Sequence, residues 1–114
     1  MKKIISISLF LIIAASLFAQ KQAAHWYFGE NAGLDFNSGS PIALTDGQMQ
    51  TTEGCATISD YDGNLLFYTN GVTIWNKNHQ IMVNGENLNG DFSSTNSAII
   101  IPKPGDINIY YVFT

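Results

Sequence analysis

The stretch from Cys55 to Val83 (CATISDYDGNLLFYTNGVTIWNKNHQIMV) narrows the folds open to this chain more than any other. Runs rich in β-branched and aromatic residues alternate there with Asp62-Gly63 and Asn70-Gly71, dipeptides that tolerate positive φ, and with a weaker turn at Lys77-Asn78. Two-residue turns at all these places predict four antiparallel strands. Counting outward from them sets the register: Ile58 opposite Phe67, Phe67 opposite Ile74, Ile74 opposite Ile81. A single apolar row then crosses the sheet, and a slip of one residue would scatter it over both faces. One face carries Ile58, Leu65, Phe67, Val72, Ile74, Ile81 and Val83, the other Leu66, Tyr68, Trp75 and Met82. Both are apolar enough to need cover, so this sheet is expected between neighbours, as in a propeller blade or a two-sheet sandwich.

The N-terminus has a different character. Lys2-Lys3, the uncharged run Ile4 to Ala19 and the polar Gln20-Lys21-Gln22 form the charged start, apolar middle and small-residue end of a secretory signal peptide. The run falls short of the roughly 20 residues of a membrane span, which predicts cleavage near Ala19 and an exported chain with no inserted segment. Residues 1–19 are thus the predicted signal and 20–114 the predicted domain. Without the leader, Lys21, Lys77 and Lys103 face nine acids, a balance that disfavours nucleic acid and anionic membrane as partners. Cys55 is the only cysteine, so no internal disulfide forms, and stability has to come from apolar burial.

Along the mature chain, His25 to Phe28, Leu34 to Phe36 and Ile42 to Leu44 are short strand candidates separated by Gly, Asn, Ser and Pro clusters. No mature segment shows helical periodicity, and the predicted class is all-β. Asn84 to Asn96 is polar and Gly-rich, a long connection. Ile99-Ile100-Ile101 has the unbroken β-branched pattern of a strand buried on both faces, and Ile107 to Thr114 begins another strand after the turn at Pro102 to Asp106. Tyr110 to Thr114 (YYVFT) repeats the pattern of Leu65 to Thr69 (LLFYT) at an offset of 45, within the range of four-stranded blades. The second copy stops at the residue matching Thr69. A complete blade over 55–83, the start of the next over 97–114, and a longer reading frame are therefore expected, with residues 25–44 closing a ring.

Candidate chemistry is sparse. Asp60, Asp62 and Asn64 place oxygens at alternate positions, the arrangement that suits Ca2+, yet Gly63 is fourth rather than sixth and Gly71 stands where a calcium loop needs glutamate. Hairpin-turn chemistry accounts for all these residues. Trp26, Tyr68 and Trp75 are the candidate stacking residues for a sugar ring, with burial in a core as the competing explanation. His25 and His79 lack the partners of a metal set; His79 is expected beside a turn, facing water. Acids in loops (Glu30, Asp35, Glu53, Asp60, Asp62, Glu86, Asp91) leave a propeller-type glycoside hydrolase as the enzymatic alternative, though spacing names no pair. No residue is assigned a catalytic or cofactor-binding role.

The segments AHWYFGENAGLDF, EGCATISDYDGNLLFYTNGVTIWNKNHQIM and SSTNSAIIIPKPGDINIYYVFT give the mature region a specific wording, above all GNLLFYTNG and NSAIIIPKPG. On these it resembles the N-terminal part of large Bacteroidetes cell-surface proteins that end in a gliding-motility-associated, type IX secretion sorting domain. That resemblance implies a propeller-like β region ahead of further domains, delivery to the cell surface or medium, and no catalytic residues. The sorting domain itself is not in this sequence. The expectation is a non-enzymatic surface module for adhesion or for binding a glycan or protein, with a purely structural spacer as a further alternative.

Overall fold

The structure, a computed structural model, describes residues 21–114, and the predicted signal peptide lies outside them. Among the described residues the chain is all-β, with a single 3-10 turn at Lys21–Ala23. Strands β1 (His25–Phe28), β2 (Ala32–Asp35) and β3 (Ile42–Leu44) form one antiparallel sheet; β4 (Ala56–Ser59), β5 (Leu65–Thr69) and β6 (Ile74–Asn76) a second; β7 (Ile99–Pro102) and β8 (Tyr110–Phe113) a third. Each sheet is a run of chain-adjacent strands. Residues 25–44, expected to supply the strands that close a ring, pair with one another as a three-stranded meander.

The second sheet differs from the predicted meander in a way its turns explain. Asp60 accepts the Gly63 N–H at 3.1 Å and donates its own N–H to Asn64 at 2.9 Å, while Gly63 takes φ +92°. This is a three-residue loop closed by a left-handed residue, not a two-residue turn. The extra residue is absorbed by a bulge beyond Ser59–Leu65, so Ile58 still opposes Phe67, as counted from the sequence. After β6 the same loop recurs: His79 N–H bonds to Asn76 O at 2.9 Å, Asn76 N–H to Gln80 O at 2.8 Å, and His79 takes φ +60°. No bulge compensates there. Trp75, not Ile74, therefore meets Ile81, and the predicted fourth strand shrinks to that one bridge, with Val83 93% exposed. Between β5 and β6, Asn70 Oδ1 accepts the N–H groups of Val72 and Thr73, and Thr69 Oγ1 accepts that of Gly71 and donates to Thr73 O at 2.7 Å. Side chains thereby stretch Asn70-Gly71 into a four-residue loop. Phe67 slides from Ile74 to Asn76, a shift of two that leaves Phe67 and Ile74 on one face and Tyr68 and Trp75 on the other, as predicted. The bulge and the longer turn after β6 do change faces: Leu65 joins Tyr68 in the core, while Leu66 and Met82, predicted beside Tyr68, lie on the Phe67 side.

The second sheet is covered on both faces, as its composition demanded. Tyr68 and Trp75 point toward the first sheet, where the Tyr27 ring stacks on Tyr68 at 4.6 Å and Tyr68 on Trp75 at 5.5 Å. With Met49 and Leu65 they form the core, flanked by Leu44 and Cys55. Phe67 points the other way, edge-on to Tyr110 of the third sheet at 5.6 Å. The third sheet is covered only on the face of Ile100, Pro102, Tyr110 and Val112. Ile99, Ile101, Tyr111 and Phe113 are exposed, so the triple isoleucine is not buried on both sides as its pattern suggested.

The first and second sheets meet without backbone pairing. Thr57 Oγ1 accepts the Tyr27 N–H at 3.0 Å and lies 3.4 Å from Tyr27 O, the Cys55 thiol donates to Tyr27 O at 3.3 Å, and His25 Nδ1 contacts Ser59 Oγ at 3.2 Å. The 84–96 connection has no strand but is tethered: Leu88 and Gly90 bond back to Val72 and Gly71, Ser94 O accepts the Gly54 N–H, and Phe92 O accepts the Thr51 hydroxyl. Ser97 Oγ donates to Gly54 O, so β4 and β7 leave from one corner.

Candidate functional site

The densest polar arrangement is one the sequence did not announce. The turn holding His79 swings its imidazole back over the core, edge-on to Tyr27 at 5.4 Å, with a 20% exposed side chain. His79 thus does not face water, contrary to the expectation drawn from its place beside a turn. Its Nε2 lies 3.2 Å from Asp46 Oδ2 and its Nδ1 3.1 Å from the Tyr68 hydroxyl. The Tyr68 oxygen also accepts the Gln48 N–H at 3.1 Å, so tyrosine, histidine and the β3–β4 connection meet at one hydroxyl. Asp46 Oδ1 in turn accepts the Tyr27 hydroxyl at 2.9 Å. The β3–β4 connection, β1, β5 and the turn after β6 are fastened at one point.

Carboxylate, imidazole and hydroxyl in series is the order that activates a nucleophile. Here the hydroxyl end is sealed, since Tyr68 is 0% exposed and Tyr27 3%. Burial, then the hydrogen bond and charge of Asp46, push the Tyr27 phenol well above its usual range; burial raises Tyr68 as well. Both therefore stay protonated near neutrality and serve as structural donors. Asp46 and His79 are far apart in sequence, and only the left-handed His79 brings them together, so no local motif marks the cluster.

Tyr68 and Trp75, predicted as stacking candidates, are the centre of the core. Trp75 is 8% exposed, and neither ring offers a face to a sugar. Trp26 is different: it is 51% exposed on β1, its indole N–H donates to Ala23 O at 3.1 Å, and its ring rests on Phe36 at 4.9 Å. With exposed Phe28 it borders a hollow of about 360 Å³ that Tyr27, Cys55 and Thr57 complete. Cys55 is half-buried, and burial pushes its thiol up, which disfavours the reactive thiolate.

At the candidate calcium loop, Asp60 Oδ1 accepts the N–H groups of Asp62 and Asn64, and Oδ2 accepts the Asn64 amide, each at 2.9 Å. The carboxylate is committed to the turn, and Asn64 presents its N–H2 rather than an oxygen to it. Asp60, Asp62 and Asn64 thus form a hairpin cap. Among the described residues no three His, Cys, Asp or Glu side chains gather as a metal set. The hydrogen bonds from Asn64 and the backbone hold the Asp60 carboxyl below its ordinary range, and bonds from Asn37 and from Ser93 do the same for Asp35 and Asp91. A folded-state pKa below the unfolded value gives stability that is present above about pH 4 and is lost as pH falls through the folded value. A urea midpoint constant from pH 7 to 5 and falling below about pH 4 is expected; Asp60→Asn should flatten part of that fall.

Glu53, the other acid near the second sheet, accepts the Thr95 hydroxyl at 3.0 Å and ties down the long connection. Compared with protein-family models, with curated proteins and with solved structures, the chain matches none.

Proposed function

We propose that this chain is an exported, non-enzymatic module of the cell surface or medium, which binds a glycan or protein through its exposed aromatic strand. The observation that carries this reading is the pairing of a solvent-facing Trp26 and Phe28 with an adjacent open hollow, while the buried hydroxyls of Tyr27 and Tyr68 are taken up by Asp46 and His79. A flat indole beside a shallow hollow suits a sugar ring or an apolar peptide side chain. The acidic balance of the mature region argues against nucleic acid. Export rests on the N-terminal sequence pattern, and the surface setting on the resemblance drawn from GNLLFYTNG and NSAIIIPKPG.

For the architecture, the reading is a propeller-like array rather than a two-sheet sandwich. Its support is that the middle sheet has cover on both faces and that consecutive meanders stack in chain order. The test of function is retention of the mature chain on immobilised glycans and matrix proteins. Trp26→Ala is expected to weaken retention by about tenfold or more, as loss of an aromatic anchor does. Equal retention by the variant would move the binding face off β1, and hydrolysis of the immobilised glycan would replace the reading with the glycoside hydrolase.

A further inference from the structure

Three Asn-Gly dipeptides stand between β5 and β7: Asn70-Gly71, Asn84-Gly85 and Asn89-Gly90. Asparagine before glycine is prone to spontaneous loss of ammonia, because glycine has no Cβ to keep its nitrogen from the preceding side chain. The glycine nitrogen attacks the asparagine Cγ, and a new C–N bond closes a succinimide ring. The bond from Cγ to the amide nitrogen breaks, and ammonia leaves with the proton that the glycine nitrogen gave up. Water then opens the ring at either carbonyl, giving aspartate or isoaspartate. Water is the only co-reactant.

In a folded chain the attack needs a released glycine nitrogen and a carboxamide able to turn onto it, so each site reacts in proportion to the time it spends open. What opening breaks differs among the three. Asn70 is 7% exposed; its amide donates to Gln50 O at 3.1 Å and its Oδ1 accepts the N–H groups of Val72 and Thr73. Gly71 N–H is held by Thr69 Oγ1 at 3.0 Å, and the buried Gly71 lies against the Ser97 carbonyl. Opening there dismantles the corner from which β4 and β7 leave. Asn84 is exposed, but Gly85 is buried and pinned at both ends, its N–H donating to Met82 O and its carbonyl accepting the Ile74 N–H, each at 2.8 Å. Opening there frees the start of β6. Asn89 is exposed, and Gly90 N–H is held by Gly71 O at 3.2 Å, the longest of the three glycine N–H bonds. Letting go of it moves only the long connection.

We propose that Asn89 is a self-modification site of the folded chain, converting to aspartate or isoaspartate without an enzyme while the fold shields Asn70 and Asn84. The product places a new carboxylate two residues before Asp91. As isoaspartate it also routes the main chain through the side-chain carbon, which lengthens the connection at the point where Gly90 is tied to Gly71. Conversion therefore slackens that tether with age. This chemistry requires no ligand at Trp26.

The test is incubation of the full chain in warm, mildly alkaline buffer, with tryptophan fluorescence reporting that it stays folded. Peptide mapping by mass spectrometry then locates each exchange of NH2 for OH, and a parallel incubation in denaturing urea supplies the open-chain rates. In the folded chain Asn89 is expected to convert at least about tenfold faster than Asn70 or Asn84, the ratio that one further hydrogen bond to break gives. In urea the three rates should converge. Asn89→Gln should abolish the fast conversion and leave the two slow ones unchanged. Equal rates at the three sites of the folded chain overturn the proposal, as does faster conversion of Asn70 or Asn84 than of Asn89. A fast phase that persists in Asn89→Gln overturns it as well.

Discussion

Gly71→Ala is expected to unfold this domain outright or cost about 4 kcal/mol or more, among the largest effects a single methyl can have. Gly71 takes φ +88°, where an L side chain is strained, and it is buried. A Cβ there would also overlap the backbone carbonyl of Ser97, which belongs to the corner shared by β4 and β7. On the other side, Gly90 N–H bonds to Gly71 O at 3.2 Å, so the peptide cannot swing away without losing the long connection. Gly105→Ala is the control, because Gly105 has a similar φ of +78° and nothing within 4 Å of a built Cβ. That substitution should cost only about 1–2 kcal/mol of backbone strain. Urea titrations followed by tryptophan fluorescence compare the two. Similar losses would mean that the contact between Gly71 and Ser97 does not form in solution.

Tyr68→Ala is expected to cost about 3–5 kcal/mol, the range for removing a large, fully enclosed ring. Tyr68 is stacked on both faces, by Tyr27 and Trp75, so the hole opens in the middle of the core. Tyr68→Phe separates packing from hydrogen bonding. It keeps the ring but leaves Gln48 N–H and His79 Nδ1 without their partner, which should cost about 1–3 kcal/mol. If Tyr68→Phe is neutral, the bonds of the Tyr68 hydroxyl to Gln48 and His79 contribute nothing to stability. Phe67→Ala belongs in the same series, and its loss should be the smaller of the two alanine changes, because Phe67 borders an open trough.

The contrast between these two neighbours shows where sequence patterning stops. Strand positions were legible because β-branched and aromatic runs between Gly, Asn and Pro leave little alternative: β1, β3 and β5 fall where composition places them, and β2 within two residues. Pairing of Ile58 with Phe67 was also legible, although the turn between them was not, since a bulge cancels the added loop residue. Beyond Asn76 nothing cancels it. A histidine adopting the left-handed conformation that glycine adopts at Gly63 looks like an ordinary loop residue in one dimension, and from that point the register was one residue out. Tyr68 and Trp75 were ambiguous between core and ligand platform because alternation identifies a face but not what covers it. Only the Tyr27 ring, laid across Gly33 and onto Tyr68, resolves that. Trp26 and Phe28 flank Tyr27 in sequence, yet being on the opposite face they end in solvent. The Asp46, His79 and Tyr68 contacts join distant segments through side chains alone, and no periodicity encodes them.

The seam between the first two sheets has a consequence for the order of assembly. Among the described residues every backbone ladder joins neighbouring strands, so each sheet can close through short loops, whose entropic cost is low. The seam between β1 and β4 is made of hydroxyl, thiol and imidazole contacts, which form only after Thr57, Cys55 and Ser59 have been set in line by β4. The three sheets are therefore expected to behave as separate cooperative units, each closing before the seam between them is sealed. Amide exchange should follow the same division, with Tyr27 N–H, guarded by a threonine side chain rather than a strand, opening to solvent before the amides at the centre of β5.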